Sequence, residues 1–167
     1  SRSNRMFGNA LPKEQVENNG IGPFLEIGRD GRQPGLLYPT KTFTDQIEFE
    51  AAGHKVQLFH APGETNDQLF VWLPEKKALF PGDNFYKTFP NLYTIRGTPY
   101  RDLVGWVNSL DMMRYLEPEF LVPSHTRPIV GKETIYKLRT TYRDASQLVH
   151  DQTVRLMNLG LDPNDIA

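Results

Sequence analysis

Val56-Gln57-Leu58-Phe59-His60-Ala61-Pro62-Gly63-Glu64-Thr65-Asn66-Asp67 opens as a strand and changes character within a few residues. Val56 to Phe59 alternates apolar and polar side chains and is rich in residues that fit a pleated surface. Pro62-Gly63 cannot continue a ladder, and a carboxylate follows at Glu64. The pattern returns twice. Ala78-Leu79-Phe80 stops at Pro81-Gly82 and is followed by Asp83-Asn84; Phe120-Leu121-Val122 stops at Pro123 and is followed by Ser124-His125-Thr126-Arg127-Pro128. Strand ends can bring side chains to a common sheet edge, where loops on a rigid scaffold carry functional groups.

Working outward, Ile47-Glu48-Phe49-Glu50 alternates as a half-buried strand, and Ala52-Gly53 turns it into Val56–Phe59. Leu69-Phe70-Val71-Trp72-Leu73 is a short apolar strand that returns through Pro74-Glu75-Lys76-Lys77 to Ala78. Leu103, Trp106, Val107, Leu110 and Met113 fall at helical spacing and predict an amphipathic helix over 100–116. Ile135, Leu138, Tyr142, Ala145, Leu148/Val149, Gln152 and Leu156 continue such a stripe through a long helix ending near Asn158. Met112, Met113 and Met157 read as core. Hairpin-linked strands, helix, strand, helix is the order of an α/β fold, with a sheet covered on at least one face. Residues 7–45, punctuated by Gly and Pro, read as a covering loop with one or two short strands in which Phe24-Leu25 and Leu36-Leu37 pack. At the far end Gly160 suits a helix C′ position, and Asp162-Pro163 suits the N-cap and first turn of a new helix.

The chain has 167 residues, 19 Lys and Arg against 20 Asp and Glu, and no Cys. That length suits one domain or a piece of one. A net charge of −1 gives no long-range field to draw nucleic acid or an anionic membrane, and no apolar run reaches the roughly 18 residues of a membrane span. The absence of Cys excludes disulfides, thiolate metal sites and a Cys nucleophile. It suits an oxidising compartment.

Glu64, Asp83 and His125 meeting at one edge would suit a divalent cation, with zinc favoured by the imidazole. Each has an ordinary alternative: a helix-capping carboxylate, a Pro-Gly-Asp turn, a surface imidazole. Arg101 either caps the helix start or lines the same pocket, and His60 orients the Glu64 loop. Phe85, Tyr86, Phe89, Leu92 and Tyr93 form an aromatic cluster whose members pack onto the sheet or border a cavity. His150-Asp151, in mid-helix, reads as a hydrogen-bonded structural pair.

Arg5-Met6-Phe7-Gly8, Pro62-Gly63-Glu64, Asn84, Asn91-Leu92-Tyr93-Thr94-Ile95-Arg96-Gly97, Arg101-Asp102, Gly105-Trp106, Ser124-His125 and His150-Asp151-Gln152-Thr153-Val154-Arg155-Leu156-Met157-Asn158 together resemble the zinc-dependent alkyl sulfatases, the dodecyl-sulfate hydrolases of the metallo-β-lactamase fold. The resemblance runs over the whole chain. It implies the second half of an αββα sandwich, a mostly antiparallel, mixed sheet with flanking helices. It makes Glu64 a ligand of one zinc, Asp83 a bridge between two, and His125 a ligand of the other. It also makes Asn91 and Arg96 sulfate binders, with Arg101 beside them. Most of the superfamily has His where Glu64 stands, whereas the alkyl sulfatases share the Glu; they generally have Glu where this chain has Asp83, one methylene longer with the same charge.

The superfamily takes its remaining ligands from a His-x-His-x-Asp-His loop. His54, His60, His125 and His150 nowhere form that spacing, so residues 1–158 read as a partial catalytic domain (covering region 1–45, strands and helices 46–158). Residues 159–167 read as the start of a linker or helix toward a dimerisation domain. The resemblance further implies hydrolysis of an alkyl sulfate to alcohol and inorganic sulfate by a water activated between two zinc ions in the full-length protein, with this chain alone incomplete and inactive. It implies a homodimer and, together with the absence of Cys, a periplasmic or secreted location. The competing readings are a hydrolase of the same fold acting on another ester, and a noncatalytic interaction fragment.

Overall fold

The computed structural model describes residues 12–15, 37–92 and 100–166. The chain divides into two units, Ser1–Thr42 with Thr94–Thr98, and Phe43–Tyr93 with Pro99–Ala167. In the first, the described residues include a 3-10 turn at Lys13–Gln15 closed by the Gln15 N–H on the Pro12 carbonyl at 2.9 Å. The packing expected of residues 7–45 falls mostly outside the described residues, and Leu37, expected to pack, is 95 % exposed.

The second unit is built on a six-stranded sheet in the order β1-β2-β3-β4-β5-β6. Its strands are β1 (Gln46–Ala51), β2 (His54–His60), β3 (Leu69–Leu73), β4 (Ala78–Phe80), β5 (Phe120–Leu121) and β6 (Ile129–Val130). Neighbours are antiparallel except β4 and β5, which run parallel with Ala78 opposite Phe120 and Leu79 opposite Leu121. The fold is thus mixed α/β with flanking helices. Ala52 and Gly53 both take positive φ, the geometry of a two-residue hairpin whose twist matches its strands. Strand β6 is absent from the sequence reading because two residues behind Pro128 are too few to show a period. The half-buried face expected of β1 is shallower than its alternation implies: Ile47 is half-buried but Phe49 is exposed, as suits an edge strand.

Helix α1 (Leu103–Arg114) is the crossover that a parallel β4–β5 pair requires. Asp102 caps it by accepting the Val104 N–H at 3.1 Å. Helix α2 (Lys132–Asn158) has 27 residues, and α3 (Pro163–Ile166) follows with the Asp162 carboxylate accepting the Asn164 N–H at 2.8 Å. Phe70, Trp72 and Leu79 from the sheet meet Trp106, Leu110 and Met113 of α1 and Ile135 and Tyr142 of α2 in one core. The stripe on α2 is buried only as far as Ser146; Leu148, Val154 and Met157 are exposed, as is Met112 on α1. Met112 and Met157 are therefore surface residues and Met113 alone of the three is core.

This topology positions the polar loops. Strand β2 is antiparallel to β3, β3 is antiparallel to β4, and β4 is parallel to β5, so β2, β4 and β5 all point the same way. Their C-terminal ends, and the Pro-bearing segments after them, leave the sheet at one edge.

Candidate functional site

At that edge the loop 61–67 is folded on itself. His60 Nε2 lies 2.8 Å from the Asn66 carbonyl, which ties the two ends together and matches the orienting role expected of it. Glu64 stands half-buried on this loop, its carboxylate paired with the Arg101 guanidinium. Arg101 does not cap α1, since Asp102 does. It is nearly buried, donates also to the Asn91 carbonyl, and lies 5.7 Å from the centre of the Trp106 ring. The Asn91 N–H in turn meets the Tyr86 hydroxyl at 3.2 Å. The structure thus places Asn91, Arg101 and Glu64 along one chain of contacts. Arg96 and Tyr93 lie outside the described residues.

Asp83 follows β4 in a 3-10 turn at Gly82–Asn84. Gly82 has φ +61 and a Cβ there would meet the Gln68 side-chain amide, so a side chain before the acid is strained. Asp83 Oδ1 is buried without a hydrogen-bond partner. His125 Nε2 lies 3.4 Å from it, close enough for attraction between opposite charges but not a hydrogen bond. His125 is largely exposed, with the Tyr86 ring edge-on at 6.4 Å. Partial burial pushes the Glu64 carboxyl above its ordinary pKa; the neighbouring Asp83 carboxylate adds to this and Arg101 opposes it. Asp83 therefore interacts with Glu64 on one side and His125 on the other.

These three side chains do not close around a point. Among the described residues no group of three His, Asp or Glu is arranged to hold a metal ion, and Glu64 is engaged by Arg101. The donor chemistry nonetheless fits a cation: a buried carboxylate oxygen without a donor, flanked by a second carboxyl group and an imidazole, is the environment a hard or borderline divalent ion satisfies.

Beneath the site lies an aromatic floor that sequence reasoning resolved only in part. Phe85 is buried, with its ring 5.0 Å from that of Tyr142; Leu92 packs on the core and Phe89 is exposed. Packing is thus the role of Phe85 and Leu92. Tyr142 comes from α2, its hydroxyl has no hydrogen-bond partner, and burial, reinforced by Tyr86 and Glu64, pushes its pKa upward so that it stays neutral. Asn84 also escaped a role from sequence: it is fully buried and its hydrogen bonds reach 23 residues back along the chain. Its place directly after Pro-Gly-Asp and its share in the family resemblance singled it out without giving it a role. His150 lies on α2 with Nδ1 2.9 Å from the Asp151 carboxylate, as a structural pair.

Residues 5–125 match the family model described as the metallo-beta-lactamase superfamily. The chain is 39 % identical over 169 residues to a linear primary-alkylsulfatase of Pseudomonas sp., covering 99 % of this chain and 31 % of that protein. It is 32 % identical over 137 residues to the alkyl/aryl-sulfatase BDS1 of Saccharomyces cerevisiae, covering 79 % of this chain and 21 % of that one. A solved structure of the sec-alkyl sulfatase PisA1, as a double mutant, superposes with a TM-score of 0.79 at 22 % identity, over 99 % of this chain and 27 % of the other. The chain thus spans less than a third of the length of these two curated relatives.

Proposed function

The chain belongs to the metallo-beta-lactamase superfamily, and from that premise we propose that it carries part of the active site of an alkyl sulfatase, which hydrolyses an alkyl sulfate ester to alcohol and inorganic sulfate. The supporting observation is the orphaned Asp83 Oδ1 between Glu64 and His125, at the edge where three strands end. The reading draws further support from relatives named as alkylsulfatases. Their greater length suits a protein in which residues beyond these complete the site.

Glu64, Asp83 and His125 would hold zinc. When bound, zinc supplies Lewis acidity toward water and offsets the charge that develops on a departing sulfate. The chain's own residues do the rest. Arg101 neutralises Glu64 and donates also to the Asn91 carbonyl. Arg96 and Asn91 are the proposed sulfate binders: an Arg holds two oxygens in a planar fork, and an Asn amide donates without added charge. The exposed Phe89 offers an apolar surface toward an alkyl tail.

The test is sulfate release from dodecyl sulfate by the zinc-loaded protein that carries these residues. Arg96→Ala is expected to lower kcat/KM at least 100-fold while zinc content is unchanged, in line with removal of a charge-assisted bidentate contact. Undiminished turnover removes Arg96 from sulfate binding. Cleavage of a thioester or lactone in place of dodecyl sulfate overturns the sulfatase reading itself.

A further inference from the structure

Asn84 sits one residue past Asp83, yet its side chain serves the other acidic loop. Its Nδ2–H donates to the Ala61 carbonyl at 2.6 Å, and its Oδ1 accepts the Glu64 N–H at 3.2 Å. Its own carbonyl accepts the Trp106 indole N–H at 2.9 Å, so α1 holds the residue from below. Ser109, one turn further along α1, donates from Oγ to the Pro62 carbonyl at 2.6 Å. Contact between the loops is tight enough that a Cβ on Gly63 would overlap the Asn84 amide.

We propose that Asn84 is a positioning residue that fixes the Glu64 carboxylate relative to Asp83, making the spacing of the two acids a property of one buried amide. The inference rests on the reading of Glu64 and Asp83 as ligands of one cation centre. The argument is one of donor and acceptor count. Ala61 offers an acceptor and Glu64 offers a donor, and only a side-chain amide answers both at once with this reach. An aspartate of the same shape would set its oxygen against the Ala61 carbonyl. An apolar residue would leave a buried N–H and a buried carbonyl without partners, each a substantial penalty. Such outer contacts orient the ligands of a metal, and their loss typically lowers metal affinity about 10–100-fold.

The experiment uses the zinc-binding protein that carries these residues, as in the activity test. Zinc affinity is measured by chelator competition, the site geometry by the visible absorption of the Co2+-loaded protein, and the hold on the loop by amide hydrogen exchange at Glu64 without metal. Folding is followed by circular dichroism. Asn84→Asp is expected to raise the zinc Kd about 10–100-fold, to alter the Co2+ bands, and to speed exchange at Glu64 relative to Leu121 in the core. A purely structural residue would lower the melting temperature and leave zinc Kd, Co2+ bands and relative exchange alone; that result in a folded variant overturns the proposal. If Asn84→Asp does not fold, Gly63→Ala decides by the same three readouts, because its methyl meets the Asn84 amide first. Glu64→Gln separates the two claims. If it leaves zinc binding unchanged, the metal reading fails, and exchange at Glu64 in Asn84→Asp alone then upholds or overturns the role of Asn84.

Discussion

Trp106 shows how one side chain can serve core and site together. Its rings are fully buried among Leu110, Phe85 and Tyr142, while its single N–H ends on the carbonyl of Asn84. Replacing it with Phe keeps an aromatic ring but strands a buried carbonyl. We expect Trp106→Phe to cost about 1–3 kcal/mol, read as a lower urea midpoint with an unchanged slope. Ser109→Ala removes a hydroxyl that also bonds the Gly105 carbonyl of its own helix, and we expect a loss of about 1 kcal/mol. At this scale the sequence was legible wherever a residue type carries its chemistry openly. Glu64, Asp83 and His125 could be singled out because each follows a strand stopped by proline. Asn84 and Tyr142 could not be assigned roles, because what they do depends on partners distant along the chain. Arg101 stood between two readings, and the capping aspartate beside it decided between them.

Among the elements, the two long helices are joined by polar contacts as well as by core. Arg143 on α2 grips the Asp111 carboxylate of α1 through Nε and Nη2 at 3.1–3.2 Å, and Arg114 reaches the same carboxylate at 3.0 Å. Arg143→Ala is expected to lower stability by about 1 kcal/mol, since the pair is partly shielded and bidentate; a thermal melt in low and high salt checks this, with the smaller loss in high salt. Lys132 at the start of α2 holds the Glu117 carboxyl below its ordinary pKa by a hydrogen bond and by charge. A depressed carboxyl stabilises the fold above the unfolded-state pKa, and the contribution is lost as pH falls through the folded one. Lys132→Met should therefore lower the neutral-pH melting temperature slightly, leave it nearly unchanged in acid where Glu117 is protonated, and make its decline on acidification less steep. Strand β6 and the shallow burial of β1 were illegible because both are set by neighbours in the sheet: one is too short to show alternation, and the other alternates but lies at an edge.

For the molecule as a whole, apolar surface is unevenly distributed. Leu148, Val154, Met157, Leu159 and Leu161 lie exposed along the second half of α2 and just past it. Large exposed apolar patches favour association. The chain is accordingly expected to sediment above its 19.2 kDa monomer mass at micromolar concentration, and Met157→Lys with Leu159→Lys to shift it toward the monomer. A monomer in both would show that this surface tolerates water. The α/β class and the common exit of the functional loops were readable in order and punctuation alone, because alternating hairpins and one helical crossover leave few ways to orient the strands.

The parallel pairing of β4 with β5 has a practical corollary. With the loops that carry Glu64, Asp83 and His125 on one rim, the reverse turns at Ala52-Gly53 and Pro74–Lys77 occupy the opposite rim of the same sheet. A fluorophore or surface tether attached at Lys76 would report from, or immobilise, the molecule by its far side, leaving the chemistry-bearing rim facing outward for ligand-capture measurements.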